Sequence, residues 1–174
     1  LELAGTGTHT GLFNVVAGAT LSFPATHALN AGSNVSGAGT VNFSSGSTTT
    51  IAGSYDLTGP TNISGYGVAI NSDITTPSTI NLISGNLEGS GNTTMTGLFT
   101  WSGGTLRGTG ATTANGGISI TGNDSKSLWE RTLNNSGTCN YEGSGFGLYS
   151  STFNNQTGAT FNLPTDNPIL SIVG

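Results

Sequence analysis

Apolar residues in this chain recur at alternate positions within short runs of three to five residues, as in Thr40-Val41-Asn42-Phe43, Ile80-Asn81-Leu82-Ile83 and Ile118-Ser119-Ile120. A period of two marks strands with one buried face. Ser-Gly, Ala-Gly, Thr-Gly and Gly-Gly pairs close the runs and supply the backbone freedom for sharp changes of direction. Helical periodicity is nearly absent. The exception is Asp124 to Leu133, DSKSLWERTL, which predicts one or two helical turns with Asp124 or Ser125 as N-cap.

Two families of internal likeness organise these runs. One places Gly-small-Gly after an apolar residue and a spacer: Val35-Ser36-Gly37-Ala38-Gly39, Leu87-Glu88-Gly89-Ser90-Gly91 and Leu106-Arg107-Gly108-Thr109-Gly110. The other pairs FNVVAGATLSF (13–23) with FNNQTGATFNL (153–163), and LNNSGTCNY (133–141) is a shorter relative of the latter. The step from Leu87 to Leu106, and that from Leu133 to Phe153, is about 19–20 residues, which matches one coil of a parallel β-helix. Each such coil holds two or three short strands. The prediction is an all-β, single-domain solenoid over 1–174 with coils of about 19–22 residues, eight or nine in number. Repeats between 44 and 86 are looser, so irregular coils are expected there. An antiparallel sandwich needs hairpins every ~8–12 residues and leaves the echoes unexplained.

Composition agrees with a thin apolar stripe. Gly, Thr, Ser and Asn fill 97 of the 174 positions, whereas hydrophobic residues make up 33% and charged ones 6%. Disordered chains are rich in Lys, Glu and Pro, and this one is not, which favours order. Arg107, Lys126 and Arg131 are the whole basic complement against eight acids, for a net charge of −5. Nucleic-acid binding requires a phosphate-neutralising patch, and anionic lipid would be repelled, so neither is an expected partner. Nor is membrane insertion expected, because no apolar run approaches the ~18 residues of a span. Cys139 is the single cysteine, reads as a small strand residue, and allows no internal disulfide. The chain opens at Leu1 without an initiator Met or a signal-peptide pattern, and its composition suits a secreted or cell-surface location.

The segments FTWSGGTLRGTGATTANGGISITG (99–122), RTLNNSGTCNYEGSG (131–145) and FNNQTGATFNL resemble repeats of large bacterial surface proteins, the filamentous-haemagglutinin-like and autotransporter-passenger β-helices. The resemblance is clearest over residues 87 to 163. It implies a right-handed parallel β-helix exported to the cell surface and serving as stalk, adhesin or filament subunit, with no catalytic residues and no cofactor.

Candidate chemistry is sparse. Asp56, Asp73 and Glu88 follow one another at a little under a coil length, which would let neighbouring coils align them. No basic partner at coil length is expected, however, and solvated turn carboxylates are the plainer reading. His9 and His27, nearly one coil length apart, suggest stacked imidazoles rather than a metal site. Thr48-Thr49-Thr50, Thr93-Thr94 and Thr112-Thr113 raise an ice-binding face, which needs outward Thr at the same place in successive coils; these runs read as out of constant register. Trp101, Trp129, Tyr141 and Tyr149 are candidate stacking surfaces for a surface glycan. At the ends, Leu1, Leu3, Ile169, Leu170, Ile172 and Val173 form apolar, strand-like segments without the charge that blunts an edge. The expected function is therefore a non-enzymatic structural protein that forms a head-to-tail homo-oligomeric filament. The alternatives are a rigid stalk or carbohydrate-binding adhesin segment, and an ice-binding solenoid.

Overall fold

A computed structural model describes residues 1–44, 46, 48–164, 166 and 169–172. Three strands make a coil, and each strand of a coil belongs to one of three faces. The first face stacks Gly7–His9, His27–Leu29, Thr48–Ile51, Gly67–Ile70, Asn86–Glu88, Gly104–Arg107, Lys126–Trp129, Phe146–Tyr149 and Ile169–Ile172. The second stacks Leu12–Asn14, Asn34–Gly37 and Ser54–Leu57 as one sheet, then Ile74–Thr76, Thr93–Met95, Ala111–Ala114, Thr132–Asn135 and Thr152–Asn155 as another. The third stacks Thr20–Phe23, Thr40–Phe43, Thr61–Ile63, Ile80–Leu82, Phe99–Trp101, Ile118–Ile120, Thr138–Tyr141 and Thr160–Asn162. Among the described residues all strand pairs are parallel and no helix occurs. The protein is a β-solenoid of eight three-stranded coils followed by the first strand of a ninth.

Register follows the alternation in the sequence. Leu21, Val41, Thr61, Ile80, Phe99, Ile118 and Cys139 form one inward column of the third face. Phe23, Phe43, Ile63, Leu82, Trp101, Ile120 and Tyr141 form a second, and every residue of both columns is buried. Each fully buried aliphatic or aromatic side chain contributes about 1.5–3 kcal/mol. Like side chains in successive coils also meet ring to ring: Phe23 and Phe43 stack with centroids 5.3 Å apart and planes 10° apart. Outward positions instead carry amides that bond along the axis, Asn62 Nδ2 to Asn42 Oδ1 at 2.9 Å and Asn81 Nδ2 to Asn62 Oδ1 at 2.8 Å.

Three expectations are corrected. Asp124 to Leu133 is not helical: Lys126–Trp129 is a strand between Gly104–Arg107 and Phe146–Tyr149, with Lys126 and Leu128 inward. Ladder bonds to two neighbouring coils outweigh a local preference of roughly a few tenths of a kcal/mol per residue. Between 44 and 86 the coils are regular from Thr48 onward, since Thr48, Gly67 and Asn86 pair in turn at an unchanging step. Longer steps run from Ala28 to Thr50, which spans the start of that stretch, and from Gly104 to Lys126. Finally, Val35 to Gly39 is not the coil equivalent of the other two Gly-small-Gly segments. It leaves a second-face strand, whereas Leu87 to Gly91 and Leu106 to Gly110 leave first-face strands.

Among the described residues, the buried hydroxyl of Thr93 is uncompensated and lies beside a void. Thr93 lines an apolar space of about 20 Å³ with Val68, Leu87 and Met95, and its Oγ1 has no hydrogen-bond partner. Thr93→Val removes the buried hydroxyl at constant shape and is expected to stabilise the protein by about 1 kcal/mol. Thr93→Ala enlarges the void and is expected to cost about 1 kcal/mol. Urea unfolding of the three proteins checks the order; a valine variant less stable than the native chain would contradict it.

Candidate functional site

A surface depression lies where the first face turns into the second. It encloses about 470 Å³ and is lined by Ala69, Glu88, Gly89, Arg107, Trp129 and Glu130, with Gly108 between them. Register explains the gathering, because Ala69, Glu88, Arg107, Trp129 and Tyr149 occupy one outward column in consecutive coils. Thr8, Ala28 and Thr50 continue the column toward the first coil with small side chains only. The Nε of Arg107 donates to Glu88 Oε2 in an ion pair. Coil spacing thus supplies the basic partner that the sequence reading did not expect for Glu88. Trp129 is 48% exposed and stacks on Tyr149, with centroids 5.1 Å apart and planes 17° apart.

A single guanidinium fixes the backbone under this depression. Arg131 is buried, and its Nε donates to Thr112 Oγ1 at 2.8 Å. Nη1 donates to the carbonyls of Gly89 and Arg107, and Nη2 to those of Gly91 and Ala111, at 3.0 to 3.3 Å. All of its N–H groups are used, with carbonyl dipoles in place of a counter-ion. Burial pulls its pKa down to about 10, which leaves it protonated at neutral pH. Glu130, next to it, has φ of 52°, at the coil position where Gly89 and Gly108 have φ of 119° and 100° and Ser150 has φ of 45°. A non-glycine residue there costs about 1–2 kcal/mol.

The other candidates disperse. Trp101 and Tyr141 are buried in the third-face core and offer no glycan surface, so only Trp129 and Tyr149 of these aromatics face outward. Trp101 serves packing, its Nε1 donating to the Gly104 carbonyl at 3.2 Å. Asp56, Asp73 and Glu88 do not converge: Asp56 is on a second-face strand, Asp73 precedes another and accepts from Asn92 N at 2.8 Å, and Glu88 is on the first face. The hydrogen bonds from Asn92 hold the Asp73 carboxyl below its usual value. Among the described residues no group of three His, Cys, Asp or Glu side chains is placed to hold a metal ion. Burial pushes the Cys139 thiol up to about 12, which leaves it unreactive. Lys126 is buried too, and its Nζ donates to the carbonyls of Gly122, Asp124 and Ser144 at 3.0, 2.7 and 3.0 Å. Thus two of the three basic side chains serve the backbone and the third is paired, so the solvent-facing charge is overwhelmingly acidic.

Leu1 to Leu3 lies along the outer edge of Thr20–Phe23, with Leu3 N donating to Ser22 O at 3.0 Å and Ser22 N to Leu1 O at 2.9 Å. Ile169–Ile172 lies along Phe146–Tyr149 at the other end, on a different face. Of the proposed assembly residues, Leu1 and Ile169 are exposed and Leu3 is half-buried. Leu170 and Ile172 are placed by their backbone pairing, and Val173 lies outside the described residues. Further apolar groups that the sequence reading passed over complete the ends: Leu12, 65% exposed, at one, and Leu163, 58% exposed, at the other. Comparison with protein-family models, with curated proteins and with solved structures gave no match.

The first coil also holds the histidine pair. His27 Nε2 contacts the Leu3 carbonyl at 2.9 Å, so it must carry the proton, and His27 Nδ1 then accepts from His9 Nε2 at 3.0 Å. Burial, and then the neighbouring His27, lower the pKa of His9 below 6.5. A base with a lowered folded pKa contributes stability above its unfolded value, and that contribution is lost as pH falls through the folded pKa. Acidification from about pH 7.5 to below 6.5 is therefore expected to loosen the first coil. Faster amide exchange at Ser22 and Leu3, which His9→Gln makes less pH-dependent, would be the sign; exchange unaltered by the substitution would contradict it.

Proposed function

We propose that this chain is a non-catalytic β-solenoid rod of the cell surface or extracellular space that lengthens by end-to-end stacking of copies. The observation that carries the reading is the exposed apolar side chains on the first and last described coils, Leu1 and Leu12 at one and Leu163 and Ile169 at the other. Unpaired edges beside a hydrophobic core are templates for further strands, and a head-to-tail contact between unlike ends does not close. Leu1–Leu3 belongs to the third face and Ile169–Ile172 to the first, so one shared layer between two copies accommodates both. An acid-rich surface with few free cations, together with the resemblance to surface-protein repeats, supports the extracellular location.

Negative-stain microscopy and sedimentation across a concentration series test the rod. The native chain is expected to form rods that lengthen with concentration from a unit of about 40 Å, eight layers at the strand spacing. Leu12→Lys with Leu163→Lys, both at exposed positions, is expected to hold it at one unit. Single units of the native chain at every concentration would overturn self-assembly.

A second reading, ice binding, is favoured by one specific finding. Thr75, Thr94 and Thr113 do stand in register on successive coils of the second face, contrary to the expectation from the sequence. If this column orders water, the native chain inhibits ice recrystallisation and Thr94→Lys abolishes the effect; equal behaviour of the two would remove the reading.

A further inference from the structure

We propose that the depression beside Trp129 is a binding site for an uncharged oligosaccharide. This goes beyond the rod reading and stands on different residues. In a chain whose outward positions are mostly Thr, Asn, Ser and Gly, one column sets Glu88, Arg107, Trp129 and Tyr149 in four consecutive coils. The column changes from small to large side chains after Ala69, and the change builds a wall along an otherwise low face.

Each part of the wall matches one feature of a sugar. Tyr149 backs one side of the Trp129 ring, so the indole is held in place while nearly half of the residue remains exposed. An aromatic platform of this kind takes the C–H face of a pyranose ring. Carboxylates accept hydrogen bonds from hydroxyls and a guanidinium donates them, and Glu88, Glu130 and Arg107 supply both sorts at the rim. Glu88 and Arg107 neutralise each other, leaving Glu130 as the net charge of the cleft, which disfavours an acidic sugar. The volume of about 470 Å³ falls in the range of ligand clefts, about 300–1,000 Å³.

Glu130 carries the point furthest. Its coil position holds Gly in the two preceding coils, and glycine is the residue the positive φ favours. Glutamate accepts the strain and contributes a carboxylate at the mouth of the cleft, the pattern of local strain held at a binding site. Arg131, bonded to the carbonyls of Gly89, Gly91, Arg107 and Ala111, makes the corner rigid and the site preformed.

Saturation-transfer NMR on the native chain tests this with three neutral probes, cellohexaose, mannohexaose and xylohexaose, and one acidic probe, hexagalacturonate. The expected result is transfer to ring C–H protons of at least one neutral probe, with a dissociation constant on the order of 1 mM. Trp129→Ala is expected to weaken binding at least about tenfold, as truncation of a central aromatic contact does. Glu130→Gly restores the residue type of the preceding coils, so it folds, and it is also expected to weaken binding. Thr100→Ala on the third face is expected to change nothing. Transfer to none of the neutral probes, preference for hexagalacturonate, or native affinity in both Trp129→Ala and Glu130→Gly would overturn the proposal. Because this test substitutes Trp129 and Glu130 and the rod test Leu12 and Leu163, rod assembly can succeed or fail without deciding the outcome.

Discussion

The parallel backbone ladder between successive coils is the interaction on which everything else in this protein depends. On the first and third faces each interior strand bonds to the coil before and the coil after, so the third face runs without a break from Thr20–Phe23 to Thr160–Asn162. Because the ladder satisfies the backbone whatever the side chains are, the chain can consist largely of Gly, Thr, Ser and Asn. Identity of position then accumulates into columns. Inward columns need bulk, outward ones need only a β-compatible side chain, and asparagines in column bond to one another.

The same constraint governs the buried charges. A solenoid corner turns carbonyls away from the ladder, and some of them must find donors inside. Arg131 and Lys126 meet that need with four and three hydrogen bonds to carbonyls respectively. Neither is then available to a ligand, and the surface is left acidic. The first-face corner at Glu88, Arg107, Trp129 and Glu130 departs from this reliance on small side chains, and it is the place where a binding role attaches to an otherwise structural rod.

How far the fold could be read without coordinates depends on which residues are considered. Leu87 and Leu106 revealed the coil length, and they are ladder partners. Phe13 and Phe153 announced equivalent strands, and both lie on the second face, in the first and eighth coils. Val35 to Gly39 misled because glycine-rich corners look alike on every face. Asp124 to Leu133 misled because its helical preference is local, whereas its strand is made by partners a whole coil away on either side, Gly104–Arg107 and Phe146–Tyr149. Of the cleft, the two aromatics Trp129 and Tyr149 were legible as candidates; the pairing of Glu88 with Arg107 and the meaning of Glu130 were not.

The sequence by itself determined that strands are short and alternate, that they recur at about one coil length, and that the core is a narrow stripe, because period and composition are local properties of the chain. Only the tertiary structure decided which face each strand joins and which residue of one coil lies over which residue of the next. Those choices depend on the summed lengths of all the corners between, and they set Trp101 inside and Trp129 outside, bring Thr75, Thr94 and Thr113 into one column, and carry Arg131 to carbonyls two coils away.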